Sequence, residues 1–228
     1  MLLDTITTWW QTNERLVQLL IEALGQTLTM VLASGLIGFV LGIPLGVALH
    51  LTKDNGLMAN PKFNKVLGIV VNIGRSIPFI ILLVAIIPFT RFIVGSSIGT
   101  AAAIVPLTVG AIPFIARLVE GALLEVPTGL VEAAQAMGAK PIQIITKVLL
   151  PEALPGIINA VTITLVTLVS YSAMAGTVGG GGLGDVGIRY GYQRFDGTVM
   201  AITVIMLVIL VQLIQSIGDH LVKRVDHR

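Results

Sequence analysis

Five stretches of this chain are apolar for long enough to cross a lipid bilayer, and no other feature restricts its fold as much. A spanning helix needs roughly 20 mostly apolar residues. The runs at about Thr27–Leu49, Val66–Pro88, Ile98–Leu118, Ile157–Ala175 and Val199–Ile217 meet that length. Hydrocarbon offers no partner for a backbone N–H or C=O, so only helices and closed barrels can span it. Barrel strands would be about 10 residues long and would alternate in polarity; these runs do neither. The expected fold class is an all-α integral membrane protein with five transmembrane helices. Only 11% of the 228 residues are charged, against about a quarter in a soluble domain. A net charge of +2 gives no reason to expect nucleic acid, and without cysteine there is neither a disulfide nor a thiolate metal site.

The basic residues are few, but their placement is informative, because loops rich in Lys and Arg stay in the cytoplasm. Lys53, Lys62 and Lys65 follow the first run; Arg117, Lys140 and Lys147 follow the third; Lys223, Arg224 and Arg228 follow the fifth. Those nine of 14 positive residues must share one side. Arg15, Arg91, Arg189 and Arg194 fall on the other, and Arg75 lies within the second run. The expected orientation has the amino terminus outside and the carboxyl terminus in the cytoplasm. Residues 1–18 then form an external segment, 19–218 the membrane domain and 219–228 a cytoplasmic tail. The opening segment lacks a basic n-region and a small-residue cleavage site, so it does not read as a signal peptide; Trp9 and Trp10 suit the outer headgroup level.

Within the first run, Gly38, Gly42 and Gly46 are spaced by four and share one helical face, which favours a close helix crossing. Pro44, Pro78, Pro106 and Pro113 are expected to kink or interrupt spans. The stretch GGGGLGDVG contains the Gly-x-Gly-x-x-Gly spacing of Gly182, Gly184 and Gly187. No strand precedes it, so it reads as a flexible outer turn and not as a dinucleotide fingerprint.

Between the third and fourth runs lies a segment that cannot span, at about 126–155. Pro127 and Thr128 start a short helix with Leu130, Ala133, Ala134 and Met137 on one face. Gly138 is placed to end it in a left-handed cap, and Pro141 can open a second helix. Ile142, Ile145, Val148 and Leu149 give that helix its own apolar face, until Pro151 and Pro155 break it. Each helix is about 10 residues, roughly 15 Å. The small side chains of the first allow a partner surface to approach its backbone closely.

These residues carry a resemblance. Glu132, Ala133, Ala134, then Gly138, Val148, Leu150 and Pro151 resemble the signature of ABC importer permeases, with Val148 standing where the family has isoleucine. The stretches NIGRSIPFIILLVAIIPFTR, IVPLTVGAIPFIARLVE, LLPEALPGI and YSAMAGTVGGGGLG are similar to the methionine importer branch of that family. The resemblance implies a cytoplasmic coupling helix at Glu132, Ala133, Ala134, Met137, Gly138, Leu150 and Pro151 that docks on a separate ATPase. It further implies a bacterial inner-membrane location, a second copy of the chain, two ATP-binding subunits and an external substrate-binding lipoprotein. The chain itself is then a transporter permease and not an enzyme. It binds no cofactor, and ATP and Mg are used by the partner. The cargo implied is methionine.

The candidate pathway residues are Arg75, a charge inside an apolar run, and Ser170, Tyr171, Ser172 and Met174 near the end of the fourth run. Met174 reads either as part of an apolar gate across a dimer axis or as packing. Arg75 reads either as structural or as a substrate contact. His50, His220 and His227 fall at cytoplasmic ends, where headgroups are a simpler surrounding than a metal. Glu22, Glu120 and Glu125 sit at span ends, so no carboxylate occupies a midplane. That argues against a carrier driven by an ion gradient, since such carriers use buried carboxylates as relays. The remaining alternatives are an importer of another small amino acid or organic solute, and a scaffold without transport.

Overall fold

A computed structural model describes residues 14–226. All regular structure among them is helical. Helix α1 (Glu14–Leu51) is 38 residues long. It is followed by α2 (Pro61–Ser76), α3 (Phe79–Ala85), α4 (Ile87–Val94) and α5 (Thr100–Leu124). The short α6 (Thr128–Ala136) and α7 (Pro141–Ile144) lead through a π turn (Ile145–Leu149) into α8 (Leu150–Glu152). Then come α9 (Leu154–Gly176), α10 (Gly182–Val186), a second π turn (Gly187–Tyr192) and α11 (Gly197–Val225).

Helices α1, α5, α9 and α11 are each long and apolar enough to cross a membrane. They contain the first, third, fourth and fifth apolar runs. The second run behaves differently. Helix α2 stops at Ser76, and α3 leaves it at 98°. Pro78 supplies the reason: its ring disfavours a helical Ile77, whose ψ is 120°. The expected single span is thus a broken pair. Pro44, Pro106 and Pro113 lie inside continuous helices, so of the four only Pro78 interrupts one.

The core is built on the crossing of α1 and α5, the most extensive packing in the molecule. Gly38, Gly42 and Gly46 are all buried there. A methyl group added at Gly42 would lie 2.8 Å from Ile115 Cβ, and one at Gly46 would lie 2.6 Å from the Ala116 carbonyl oxygen. The glycine stripe therefore has the packing role that its spacing suggests. Helix α9 packs against α1, α5 and α11. Helix α11 buries only 11% of its most apolar window within the subunit, leaving most of its surface for lipid or another chain.

The glycine-rich stretch is not a loose turn. Gly179, Gly181 and Gly182 have φ of 88°, 78° and 81°, values that only glycine adopts freely. The turn is pinned to α1: the Gly182 amide donates to Gln26 Oε1 (2.7 Å), and the Leu183 amide donates to Thr27 Oγ1 (2.9 Å). It opens a short helix with no strand before it. Trp9, Trp10, His227 and Arg228 lie outside the described residues.

Candidate functional site: the insert between α5 and α9 and the exposed face of α9

Helix α6 begins at Thr128 after Pro127 and ends where Gly138 takes φ 76°. The Gly138 amide donates to the Gln135 carbonyl (2.9 Å), and the Ala139 amide donates to that of Ala134 (3.1 Å). These bonds form the left-handed termination expected from the sequence. Pro141 opens α7, and the Lys140 amide donates to Gln143 Oε1 (2.8 Å).

The apolar face expected on α6 is divided. Ala134 is buried against the core and Val131 is half-buried. Leu130, Glu132, Ala133 and Met137 are exposed, Met137 at 81%. Anchoring by the 131/134 side turns the rest of the helix outward.

The second helix also departs from its expected face. Ile144, Ile145 and Leu149 are buried, whereas Ile142 is 63% exposed. Ile142 and Ile144 both precede the π turn, so the departure lies in which side of α7 meets the core. Pro151 has no N–H to offer the Lys147 carbonyl, and the chain widens by one residue in the turn before it. Leu150 is half-buried and Pro151 exposed, both in the first turn of α8. A groove of about 390 Å³ runs between α6 and the end of α1, lined by His50, Lys53, Leu57, Val126, Thr128 and Glu132, among others.

At the same end of the molecule, α1, α2 and α5 are joined by a buried ionic cluster. Glu120 is only 5% exposed. Its Oε1 accepts from Lys53 Nζ (2.9 Å), and its Oε2 accepts from Arg117 Nη1 (2.6 Å). Arg117 Nη2 reaches across to α2, donating to Asn72 Oδ1 (2.9 Å) and to the Gly68 carbonyl (3.2 Å). From sequence alone, Arg117 counted only as a topology marker and Glu120 only as a span-end charge. Their spacing of three on one helix was the available signal. Their partners on α2 are more than 40 positions away and gave none.

The candidate pathway residues separate into two groups. Ser170 and Met174 are one turn apart on an exposed face of α9, with Met174 45% exposed. Ile163, exposed at 38%, extends this face downward. Ser172 is buried and donates to the Val169 carbonyl (2.7 Å), so it faces inward. Tyr171 is half-buried and stacks on Phe79, ring centroids 4.3 Å apart and planes 3° from parallel. That stack ties α9 to the start of α3, just past the bend. Arg75, in the last turn of α2 before the bend, is exposed and makes no hydrogen bond or ion pair with the described residues.

On the side of the glycine-rich turn, Asp185 is buried and paired with Arg189 one helical turn on. The hydrogen bond with Asp185 raises the Arg189 pKa above its ordinary value. Arg194 lies over the Tyr190 ring, 4.5 Å from its centroid. No group of three His, Cys, Asp or Glu side chains within reach of one metal ion occurs among the described residues.

Residues 38–227 match the family model described as the binding-protein-dependent transport system inner membrane component. A curated relative from Vibrio cholerae, a probable D-methionine transport system permease protein, is 70% identical over 225 residues, covering 99% of both chains. The D-methionine transport system permease protein of Escherichia coli K12 is 62% identical over 164 residues, covering 72% of this chain and 76% of its own. A solved structure of the MetNI methionine ABC transporter in an inward-facing conformation aligns with TM-score 0.92 and 59% identity, over 94% of this chain and 99% of that one. An amino acid ABC transporter solved with histidines shares the fold at TM-score 0.78 and 17% identity.

Proposed function

The chain belongs to the family of binding-protein-dependent transport system inner membrane components, and from that premise we propose that it carries methionine inward across the bacterial inner membrane. It is a permease subunit of an ABC importer, not an enzyme, and the ATPase is a separate subunit. The finer reading is a dimer of this chain that works with two cytoplasmic ATP-binding subunits and an external substrate-binding lipoprotein. Both L- and D-methionine are candidate cargo. The amino terminus is outside and the carboxyl terminus in the cytoplasm, as the distribution of Lys and Arg supports.

The observation that carries this reading is α6. It projects Glu132, Ala133 and Met137 from the body of the subunit and ends at a left-handed Gly138, with the spacing to Leu150 and Pro151 that importer permeases share. In this reading the exposed side of α6 seats in the ATPase, and its anchored side, Val131 and Ala134, passes the displacement to the core. Leu150 and Pro151 fix where the insert turns back toward α9.

Ser170 and Met174 face the second subunit and the pathway. Two copies of Met174 narrow it with apolar thioethers, and a hydrated solute crossing such a ring loses water without new hydrogen bonds. Arg75, exposed beside the bend, is the cation available to a substrate carboxylate or a lipid phosphate. Tyr171 and Ser172 support α9 from behind.

The test is uptake of labelled L-methionine, D-methionine and other small amino acids into proteoliposomes holding the permease with its ATPase and binding protein. ATP-dependent methionine uptake that is indifferent to proton and sodium gradients is expected. Uptake driven by either gradient without ATP would replace this reading with an ion-coupled carrier. ATP-dependent uptake confined to another solute would replace the cargo only.

A further inference from the structure

We propose that buried Glu120, bridging Arg117 and Lys53, is a positioning residue that transmits movement of the coupling insert to the bend between α2 and α3. The proposal rests on the importer reading above and adds to it the route by which one end of the subunit moves the other.

The route runs through a short chain connection, charged hydrogen bonds and a ring stack. Helix α5 ends at Leu124, and only Glu125, buried Val126 and Pro127 separate it from α6. A push on α6 therefore reaches the last turns of α5 with little slack. Glu120 and Arg117 occupy those turns. Glu120 holds Lys53 of the α1–α2 connection at 2.9 Å, and Arg117 holds Asn72 at 2.9 Å and the Gly68 carbonyl at 3.2 Å. Charge-assisted bonds of this length hold a fixed geometry better than apolar contacts, which slide.

Helix α2 is the far end of that grip. One turn beyond Asn72 it reaches Ser76 and the 98° break. Past the break, Phe79 stacks on Tyr171, the neighbour of Ser170 on α9. A joint with few hydrogen bonds across it, gripped on one side by charges and on the other by stacked rings, suits a switch between two discrete arrangements.

The burial of Glu120 makes the cluster an unusual choice for stability alone. Replacing such a group by apolar residues of similar size is often neutral or stabilising. Here it adds a fixed geometry to α2 and α5, which otherwise meet through the Val71–Ala116 cluster and the approach of Gly74 to Pro113.

The experiment uses the complete permease–ATPase complex in proteoliposomes, with Thr167→Cys as a reporter; Thr167 is half-buried on α9, between Ile163 and Ser170, and its hydroxyl donates to the Ile163 carbonyl (2.8 Å). The permease contains no other cysteine, so the maleimide label read on the permease band reports this position alone. Two variants test the cluster. Glu120→Gln keeps the shape and removes the charge. Asn72→Ala, at an exposed position, removes one hold on α2 while leaving Glu120 paired. Asn72→Asp serves as the conservative rescue, because it offers Arg117 an anion.

In the parent complex, ATP with vanadate should change the labelling rate at residue 167. In Glu120→Gln that change should largely vanish, ATP hydrolysis should persist, and methionine moved per ATP should fall roughly tenfold. Asn72→Ala should show a smaller loss and Asn72→Asp should restore coupling. Unchanged labelling response and unchanged methionine per ATP in both Glu120→Gln and Asn72→Ala would overturn the proposal. So would losses proportional to complex yield, which mark packing alone. If Glu120→Gln fails to assemble, Asn72→Ala decides by the same criteria. The labelling response needs no transported solute, so an error about methionine leaves it readable.

Discussion

Gly46 offers the most quantitative test of the architecture. A Cβ at this position would lie 2.6 Å from the Ala116 carbonyl oxygen, 2.7 Å from Val119 Cβ and 2.9 Å from Val119 Cγ1. Optimal carbon contacts are about 3.5–4.0 Å, so Gly46→Ala falls short by roughly 1 Å. A rotamer change cannot relieve it, because Ala116 O belongs to the α5 backbone and Val119 Cβ is fixed to it. The helices must separate along their tightest crossing. Overpacking of this kind costs about 1–3 kcal/mol, and the gain of about 0.5–1 kcal/mol from replacing a helical glycine by alanine offsets only part of it.

Gly25 on the same helix is the internal control, since a Cβ there meets nothing within 4 Å. Gly25→Ala should keep or slightly raise stability. Gly38→Ala, whose nearest contacts are Ile115 Cδ1 at 3.0 Å and Ala111 Cβ at 3.2 Å, should fall between them, because a terminal methyl can rotate away. The assay is the fraction of detergent-solubilised permease that stays monodisperse after heating. Midpoints should rank Gly25→Ala, Gly38→Ala, Gly46→Ala from highest to lowest, with the extremes roughly 2 to 12 °C apart. Gly46→Ala as stable as Gly25→Ala would refute the close crossing, and with it the placement of α1 on α5.

Gly138→Val should strain a backbone held at φ 76° by about 1–2 kcal/mol, leaving the permease in the membrane while ATPase co-purification and uptake fall; full uptake with normal complex yield would remove α6 from the coupling role. A reporter active only outside the cytoplasm should work when inserted beside Phe195, 90% exposed, and fail when inserted beside Lys140; the opposite pattern would invert the orientation. Met174→Ala should loosen the proposed apolar ring, seen as faster efflux of small solutes from preloaded vesicles lacking ATP. Equal efflux and equal uptake selectivity, at equal incorporation, would return Met174 to a packing role.

What could be read from the sequence was what local chemistry decides. Hydropathy located α1, α5, α9 and α11 because lipid imposes a length on each span. Pro127, Gly138 and Pro141 marked the ends of α6 and the start of α7 because each acts on its own backbone. The size of the bend in the second span was not legible, because a hydropathy window does not see direction. The steric demand of Pro78 upon Ile77 turns the chain, and hydropathy carries no term for it. The faces of the insert were misassigned because periodicity says which residues share a face, not which face meets the core: the body of the subunit takes the Val131 and Ala134 side of α6 and the Ile144 and Ile145 side of the next helix. The ionic cluster depends on Gly68 and Asn72 meeting Arg117 across 49 and 45 positions, a proximity that only the packed helices create. Ser172 and Ser170 look alike in the sequence; the rotation of α9 buries one and exposes the other.

The two hydrogen bonds that pin the glycine-rich turn to α1 impose an order on how the protein is made. Gln26 and Thr27 emerge from the ribosome 156 positions ahead of Gly182 and Leu183. At roughly 5–20 residues per second, about 8–30 s of synthesis separate them. Through that interval three further hydrophobic segments are made and handed to the membrane, while Thr27, buried in the finished subunit, has not yet met the amide that it will accept. Until then the first helix is held by contacts other than this turn, and the crossing with α5, complete some 60 residues sooner, is the most extensive of them. A chain that ends between Leu124 and Gly182 has that crossing yet leaves Gln26 and Thr27 without the turn that bonds to them.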